Sequence, residues 1–262
     1  MQKRMVYATL IVIVVVVLAV LIYFNFSGPA NPNAVDAYIG KPVPQSLISM
    51  LAVPNNVSNK IGAGTVAYFP KNINASPLTN NSKPEILYIG AEYCPYCAVT
   101  RWGMIIALMR FGQFSNLHYM ASNLTDGDIA TFTFYNSTYQ SNYISFVPVE
   151  TETRNEQPLQ TPTQSEGYIF DKYNPGGGIP FIDFGNKSIQ AGAPILPQIL
   201  SGVLWNATAS NLSDVNSGIS QSIVGSADIF TAEICRATNF TPSSVCSQPY
   251  VTAILSAMQS SG

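Results

Sequence analysis

Two cysteines separated by Pro-Tyr, Cys94-Pro95-Tyr96-Cys97, follow a short apolar run over 86–90 and precede a stretch with helical periodicity. A strand that runs into a helix through this tetrapeptide sets the first sulfur at the helix N-terminus. There the unpaired backbone N–H groups and the helix dipole stabilise a thiolate. Only a thiolate attacks a disulfide, so the order predicts a dithiol–disulfide exchange site. Cys94 is expected to be the exposed nucleophile and Cys97 the deeper resolving thiol. Pro95 suits the first helical position, having no N–H to leave unpaired and a pre-set φ. Zinc would need a second ligand pair, and the chain offers only the distant Cys235 and Cys246 and one histidine, His118. No metal and no cofactor are expected. A purely structural 94–97 disulfide would close too small a loop to stabilise much.

The compartment follows from the N-terminus. Residues 5–26 form a nearly unbroken apolar stretch without charge, preceded by Lys3 and Arg4. At 1.5 Å per residue it spans roughly 33 Å, enough to cross a bilayer core. It exceeds the apolar core of a cleaved signal peptide, about 7–15 residues, and is read as an uncleaved anchor. The positive-inside rule then places residues 1–4 in the cytoplasm and the rest outside. Ten Asn-x-Ser/Thr sequons, at Asn25, Asn56, Asn74, Asn80, Asn123, Asn136, Asn186, Asn206, Asn211 and Asn239, agree with an extracytoplasmic glycoprotein; chance gives roughly three or four. An even count of four cysteines suits an oxidising compartment. Three pairings exist, and short separations favour 94–97 and 235–246. Charged residues are only 10 %, the net charge is −2 and no Lys/Arg cluster occurs, so nucleic-acid binding is excluded.

Along the chain, 31–37 reads as a linker, 45–52 as a short helix and 64–69 as a strand. A buried-type strand covers 85–90, and a helix runs from Pro95 to about Phe111, with Val99, Trp102, Ile105, Ile106 and Met109 on helical spacing and Gly112 as its stop. A second strand follows at 117–121. Residues 125–173 are too long for a bare connection; strands are expected at 131–135 and 143–152, and a polar loop at 157–164. Ile179-Pro180 opens a β-hairpin over 179–190, turning at 185–187. A helix is expected at 194–204, and from Ser213 on the pattern is helical, with Ser226 as cap of a helix to Arg236 and Thr241-Pro242 opening another through Val251 or beyond. Cys235 and Cys246 would then staple the last two helices.

The order strand, CPYC, helix, strand, insertion, Ile-Pro, hairpin and final helix resembles a thioredoxin fold. The phrases over 88–98, 101–102, 110–112, 131–135 and 180–183, with the late cysteine pair, are similar to a prokaryotic, largely archaeal and actinobacterial, family of membrane-anchored thioredoxin-like domains of unknown function. The resemblance implies an α/β, thioredoxin-like fold over 85–204 with an insertion at about 125–173. An N-terminal transmembrane helix and an extension at 27–84 would precede it, and a disulfide-bearing helical extension at 205–262 would follow. It also implies that Pro180 is cis and faces the redox pair, leaving the Ile179 backbone free to pair with substrate. Thioredoxins carry a buried acid where this chain has Tyr88; Glu92, Glu85 or water would have to stand in as proton relay. Glu92 is expected to be a partly exposed rim residue, with the relay as its alternative role.

The function expected is a membrane-tethered, extracytoplasmic thiol–disulfide oxidoreductase that reduces, forms or isomerises disulfides in exported proteins, served by a membrane redox partner. Cys94, Cys97 and Pro180 would carry the chemistry, and Tyr93, Pro95, Tyr96 and Ile179 would line the substrate site. Tyr96 offers the thiolate no positive charge. Arg101, one turn past Cys97, is read as the ion-pair partner of Glu92 or another carboxylate rather than as a thiolate stabiliser. Trp102 and His118 are read as packing residues. The alternative is a glycosylated binding or chaperone module without turnover, which the aromatic residues of 132–146 would suit.

Overall fold

The structure is a computed structural model describing residues 32–260 except 67 and 74. The expected anchor at 5–26 and the sequons at Asn25 and Asn74 lie outside the described residues; among these, no helix is long and apolar enough to cross a membrane. The chain is a mixed α/β structure. Three short helices, α1 (Pro32–Asp36), α2 (Gln45–Met50) and α3 (Asn55–Ile61), open it. The expected strand at 64–69 is absent among the described residues. Gly64, at φ +53, is instead pressed so close to the Gln221 carbonyl that no side chain fits.

The central strand is β3 (Lys83–Gly90). Its apolar residues are continuous because both faces are covered. Ile86 and Tyr88 face one side, and Leu87 and Ile89 the other. β8 (Ser145–Glu150) pairs with it in parallel, aligning Gly90 with Glu150. On its opposite edge β9 (Phe181–Phe184) runs antiparallel, with Phe181 against Ile89. β10 (Ser188–Ala191) closes a hairpin with β9, and β1 (Lys71–Asn72) pairs with β10. β2 (Thr79–Asn80) pairs with the start of β3. Two small ladders lie off this sheet: β4 (Gly112–Ser115) with β7 (Thr138–Ser141), and β5 (His118–Ala121) with β6 (Ala130–Thr133).

Helix α4 (Pro95–Met109) covers the Ile86/Tyr88 face, and every residue from Cys97 to Leu108 is buried. A helix enclosed on all sides needs mainly apolar residues all round, which its sequence supplies except at Thr100 and Arg101. Its outer side is sealed by α7 (Gly218–Ala237). The two approach closely at Gly103, where an added Cβ would lie 3.1 Å from the Ser226 Cβ. Arg110 reaches across to Asp228 at 2.7 Å and also bonds Ser58 and Thr231. On the Leu87/Ile89 face lies α5 (Gln164–Tyr173), burying Ile169 with Phe170 packed alongside.

Several expectations are corrected. Within the expected insertion, β8 belongs to the central sheet and α5 covers its second face, while β6 and β7 lie off the sheet, paired with β5 and β4. Gly112 opens β4 rather than stopping the helix, which ends at Met109. The helix expected at 194–204 is a 3-10 turn, Pro197–Leu200, and α6 (Trp205–Asn211) begins only after it. Pro194 and Pro197 remove the N–H groups a longer helix would use, and Gly202 turns to φ +70. Ser226 is interior to α7, bonding the Ser222 carbonyl, rather than its cap. The final segment splits into α8 (Ser243–Cys246) and α9 (Pro249–Ser260). The Cys235–Cys246 disulfide forms and joins α7 to α8.

Candidate active site

β3 ends at Gly90, and the turn Ala91-Glu92-Tyr93 delivers Cys94 to the N-cap of α4 with extended dihedrals, φ −73 and ψ 121. Its sulfur accepts a hydrogen bond from the Cys97 N–H at 3.2 Å, the contact expected from a cap residue. Pro95 stands at the first helical position. Cys94 and Cys97 are both free thiols. The first is 5 % exposed and the second is fully buried, so the nucleophile expected to be exposed is instead recessed. Tyr96 is the exposed member of the tetrapeptide, at 45 %, and Tyr93 is half-buried.

The antiparallel register of β9 on β3 carries the residues just before Phe181 over the cysteine turn. The Cys94 thiol donates to the Ile179 carbonyl at 3.8 Å. The Ile179–Pro180 peptide is cis, and the Pro180 carbonyl accepts from the Gly192 N–H at 2.8 Å. The sequence-predicted residues Cys94, Cys97, Ile179 and Pro180 therefore meet at one end of the sheet.

The two thiols differ in acidity. Hydrogen bonding from the Cys97 thiol, helped by backbone N–H groups, lowers the Cys94 pKa to about 7. Burial pushes Cys97 well above the ordinary thiol range, and its bond to Cys94 adds to this. The outer sulfur is thus the more acidic one, as nucleophilic attack through a thiolate requires.

Beneath them lies a buried charge cluster that sequence reading only partly found. Arg101 pairs with Glu150, not Glu92: Nε donates to Oε1 at 2.8 Å and Nη2 to Oε2 at 2.6 Å, with both side chains fully buried. Nη2 also donates to the Ala91 carbonyl at 2.6 Å. Glu150 went unrecognised because its closeness depends on the parallel β3–β8 register, a pairing across 60 residues that no local pattern encodes. Glu92 is buried, at 5 % exposure, which corrects the rim reading; its Oε1 accepts from Thr133 at 2.6 Å. Burial raises its pKa. The Tyr88 hydroxyl is buried without a hydrogen-bond partner among the described residues and comes close enough to Gly90 that a Cβ there would overlap it. Glu85, at the far end of β3, is half-buried, and burial raises its pKa too.

Residues 70–172 match a domain of unknown function, DUF929. No curated protein and no solved structure matches the chain. The DUF929 match takes in both sulfurs, Arg101 and Glu150, and ends before Ile179 and Pro180. Among the described residues no three His, Cys, Asp or Glu side chains gather as a metal-binding group.

Proposed function

We propose that this chain is a thiol–disulfide oxidoreductase of thioredoxin-like fold, tethered outside the cell membrane and acting on exported proteins. The observation that carries the reading is the contact between the Cys94 sulfur and the carbonyl of Ile179, the residue before Pro180, with Cys97 one turn deeper. Support for the fold comes from the β3–α4–β8–α5–β9–β10–α7 order, with β8 parallel and β9 antiparallel to β3.

The Cys94 thiolate attacks one sulfur of a substrate disulfide, forming a mixed disulfide and expelling the other as a thiolate that takes up a proton. Cys97 then loses its proton and attacks Cys94, a proton being taken up by the departing substrate sulfur. The Cys94–substrate bond breaks, leaving the protein oxidised and the substrate reduced by two electrons. Run backwards, the same steps form a substrate disulfide, and a membrane redox partner sets the direction. The Ile179 carbonyl pairs with the extended substrate chain, while Tyr93, Pro95 and Tyr96 line its path. The extracytoplasmic setting is supported by the 5–26 apolar stretch and the sequons.

The test is dithiothreitol-driven reduction of insulin by the full chain, compared with Cys94→Ser, together with trapping of mixed disulfides on Cys97→Ser. Turnover in the wild type, its loss in Cys94→Ser and trapped adducts support the oxidoreductase. An inert wild type refutes it in favour of the non-catalytic binding module.

A further inference from the structure

We propose that Arg101 is a positioning residue for the resolving thiol: its guanidinium, clamped between Glu150 and the Ala91 carbonyl, supplies the positive charge that allows Cys97 to ionise. This rests on the oxidoreductase reading and states how that site makes its second nucleophile.

Arg101 follows Cys97 by one helical turn, and long helical side chains lean toward the N-terminus. The Nη2 bond to Ala91, a residue that precedes the Cys94 cap, fixes how far it leans: back to the mouth of α4. Glu150, opposite Gly90 in the β3–β8 register, grips the guanidinium at the same level. This clamp uses Nε and Nη2. The third nitrogen, Nη1, is buried without a hydrogen-bond partner among the described residues. An unpaired buried guanidinium N–H is costly, so a donor left spare here suits an anion that exists only during the reaction. A guanidinium never deprotonates in a protein, and low-dielectric surroundings strengthen its reach.

The ionisable groups that act on Cys97 are Cys94 and Arg101 on its own helix, Tyr88 on β3 and Tyr93 in the turn, while Glu92 in the turn and Glu150 on β8 act on Arg101. The cation in that set is Arg101; every other member is neutral or negative. Burial holds the Cys97 thiol high, and the charge of Arg101 opposes it. When the mixed disulfide resolves, Cys97 gives up its proton, the Cys97–Cys94 bond forms, and the Cys94–substrate bond breaks. The departing substrate thiolate is then protonated.

The test follows the reduced full chain reacting with the aromatic disulfide DTNB. Attack by Cys94 releases one thionitrobenzoate, and closure by Cys97 releases a second, so the pH profile of the second phase reads Cys97 ionisation. Arg101→Met should move that profile to higher pH and slow closure at neutral pH about tenfold, the factor a one-unit displacement requires. Glu150→Gln, which leaves the guanidinium unopposed, should move it to lower pH. A merely structural brace would not displace the two profiles in opposite directions. An unchanged profile in Arg101→Met, or both variants moving upward, overturns the proposal. Should Arg101→Met fail to fold, Glu150→Gln decides alone: a downward move supports the proposal, and an unchanged or upward one overturns it. A wild type with no second phase overturns the oxidoreductase reading and this proposal with it.

Discussion

Replacing Cys97 by alanine isolates what makes the outer sulfur reactive. With its pKa lowered to about 7, Cys94 is about half ionised at neutral pH. An ordinary thiol near 8.5 is only about 3 % ionised there, so the site holds roughly fifteen times more thiolate. The largest cause is the hydrogen bond from the Cys97 thiol; against the opposing effect of burial, the backbone N–H of Cys97, the charge of Arg101 and the backbone N–H of Tyr96 supply the rest. Cys97→Ala deletes the thiol donor and keeps the backbone ones. A hydrogen bond to a charged group is worth about 1.5–3 kcal/mol, so the midpoint should rise by at least about one unit. The assay is the rate of alkylation by iodoacetamide against pH, with the modified cysteine identified by mass spectrometry. Wild type should show a midpoint near 7 with Cys97 unmodified; the variant should show a higher midpoint and about fivefold slower alkylation at neutral pH. The plateau rate at alkaline pH should rise modestly, because a more basic thiolate is the better nucleophile. A wild-type midpoint of an ordinary thiol, or one that Cys97→Ala leaves in place, would refute the reasoning.

Three further outcomes are expected. Asp183 is buried, its Oδ2 has no hydrogen-bond partner among the described residues, and burial pushes its pKa up to about 6. Because the folded value lies above the unfolded one, the stability it contributes is present below about pH 4 and lost as pH rises through about 6, by about 3 kcal/mol; Asp183→Asn should flatten that part of a denaturation-versus-pH curve. Cys235 and Cys246 lie 11 positions apart, and replacing both by alanine should cost about 3 kcal/mol in chemical denaturation, from the loop entropy released. Gly90→Ala should destabilise by about 1–3 kcal/mol, and Tyr88→Phe should not restore it, because ring carbons of Tyr88, at 2.6 and 2.8 Å from the added Cβ, collide as well as the hydroxyl.

The parts of the fold legible in sequence were those whose cause is local. Continuous apolar residues in β3, the CPYC cap, the helical spacing of α4 and the hairpin after Pro180 each declare themselves within a dozen residues. α5 also left a local mark, the capping box of Thr163 and Glu166, which the surrounding prolines and glutamines obscured. β4 and β7 were not legible, because Gly112 reads as a helix stop until its partner across the ladder is known. The true start of α7 was hidden for a related reason. Ser226 looks like a cap, yet within the helix its hydroxyl is satisfied by the carbonyl of Ser222. At the site, Arg101 was expected to meet a carboxylate, but which one depends on strand register. Glu92 looked like a rim residue because nothing near it in the chain reveals Thr133.

The stretch 70–172 supplies the sulfurs but not what encloses them. Cut out alone, it would leave β3 without β9 along one edge and α4 without α7 along its outer side. A recombinant fragment with those boundaries would present raw apolar surface and an open strand edge to water, and would aggregate before any redox assay could read it. Dissection of this chain therefore has to keep the distal helices attached, even when the question concerns only the cysteines.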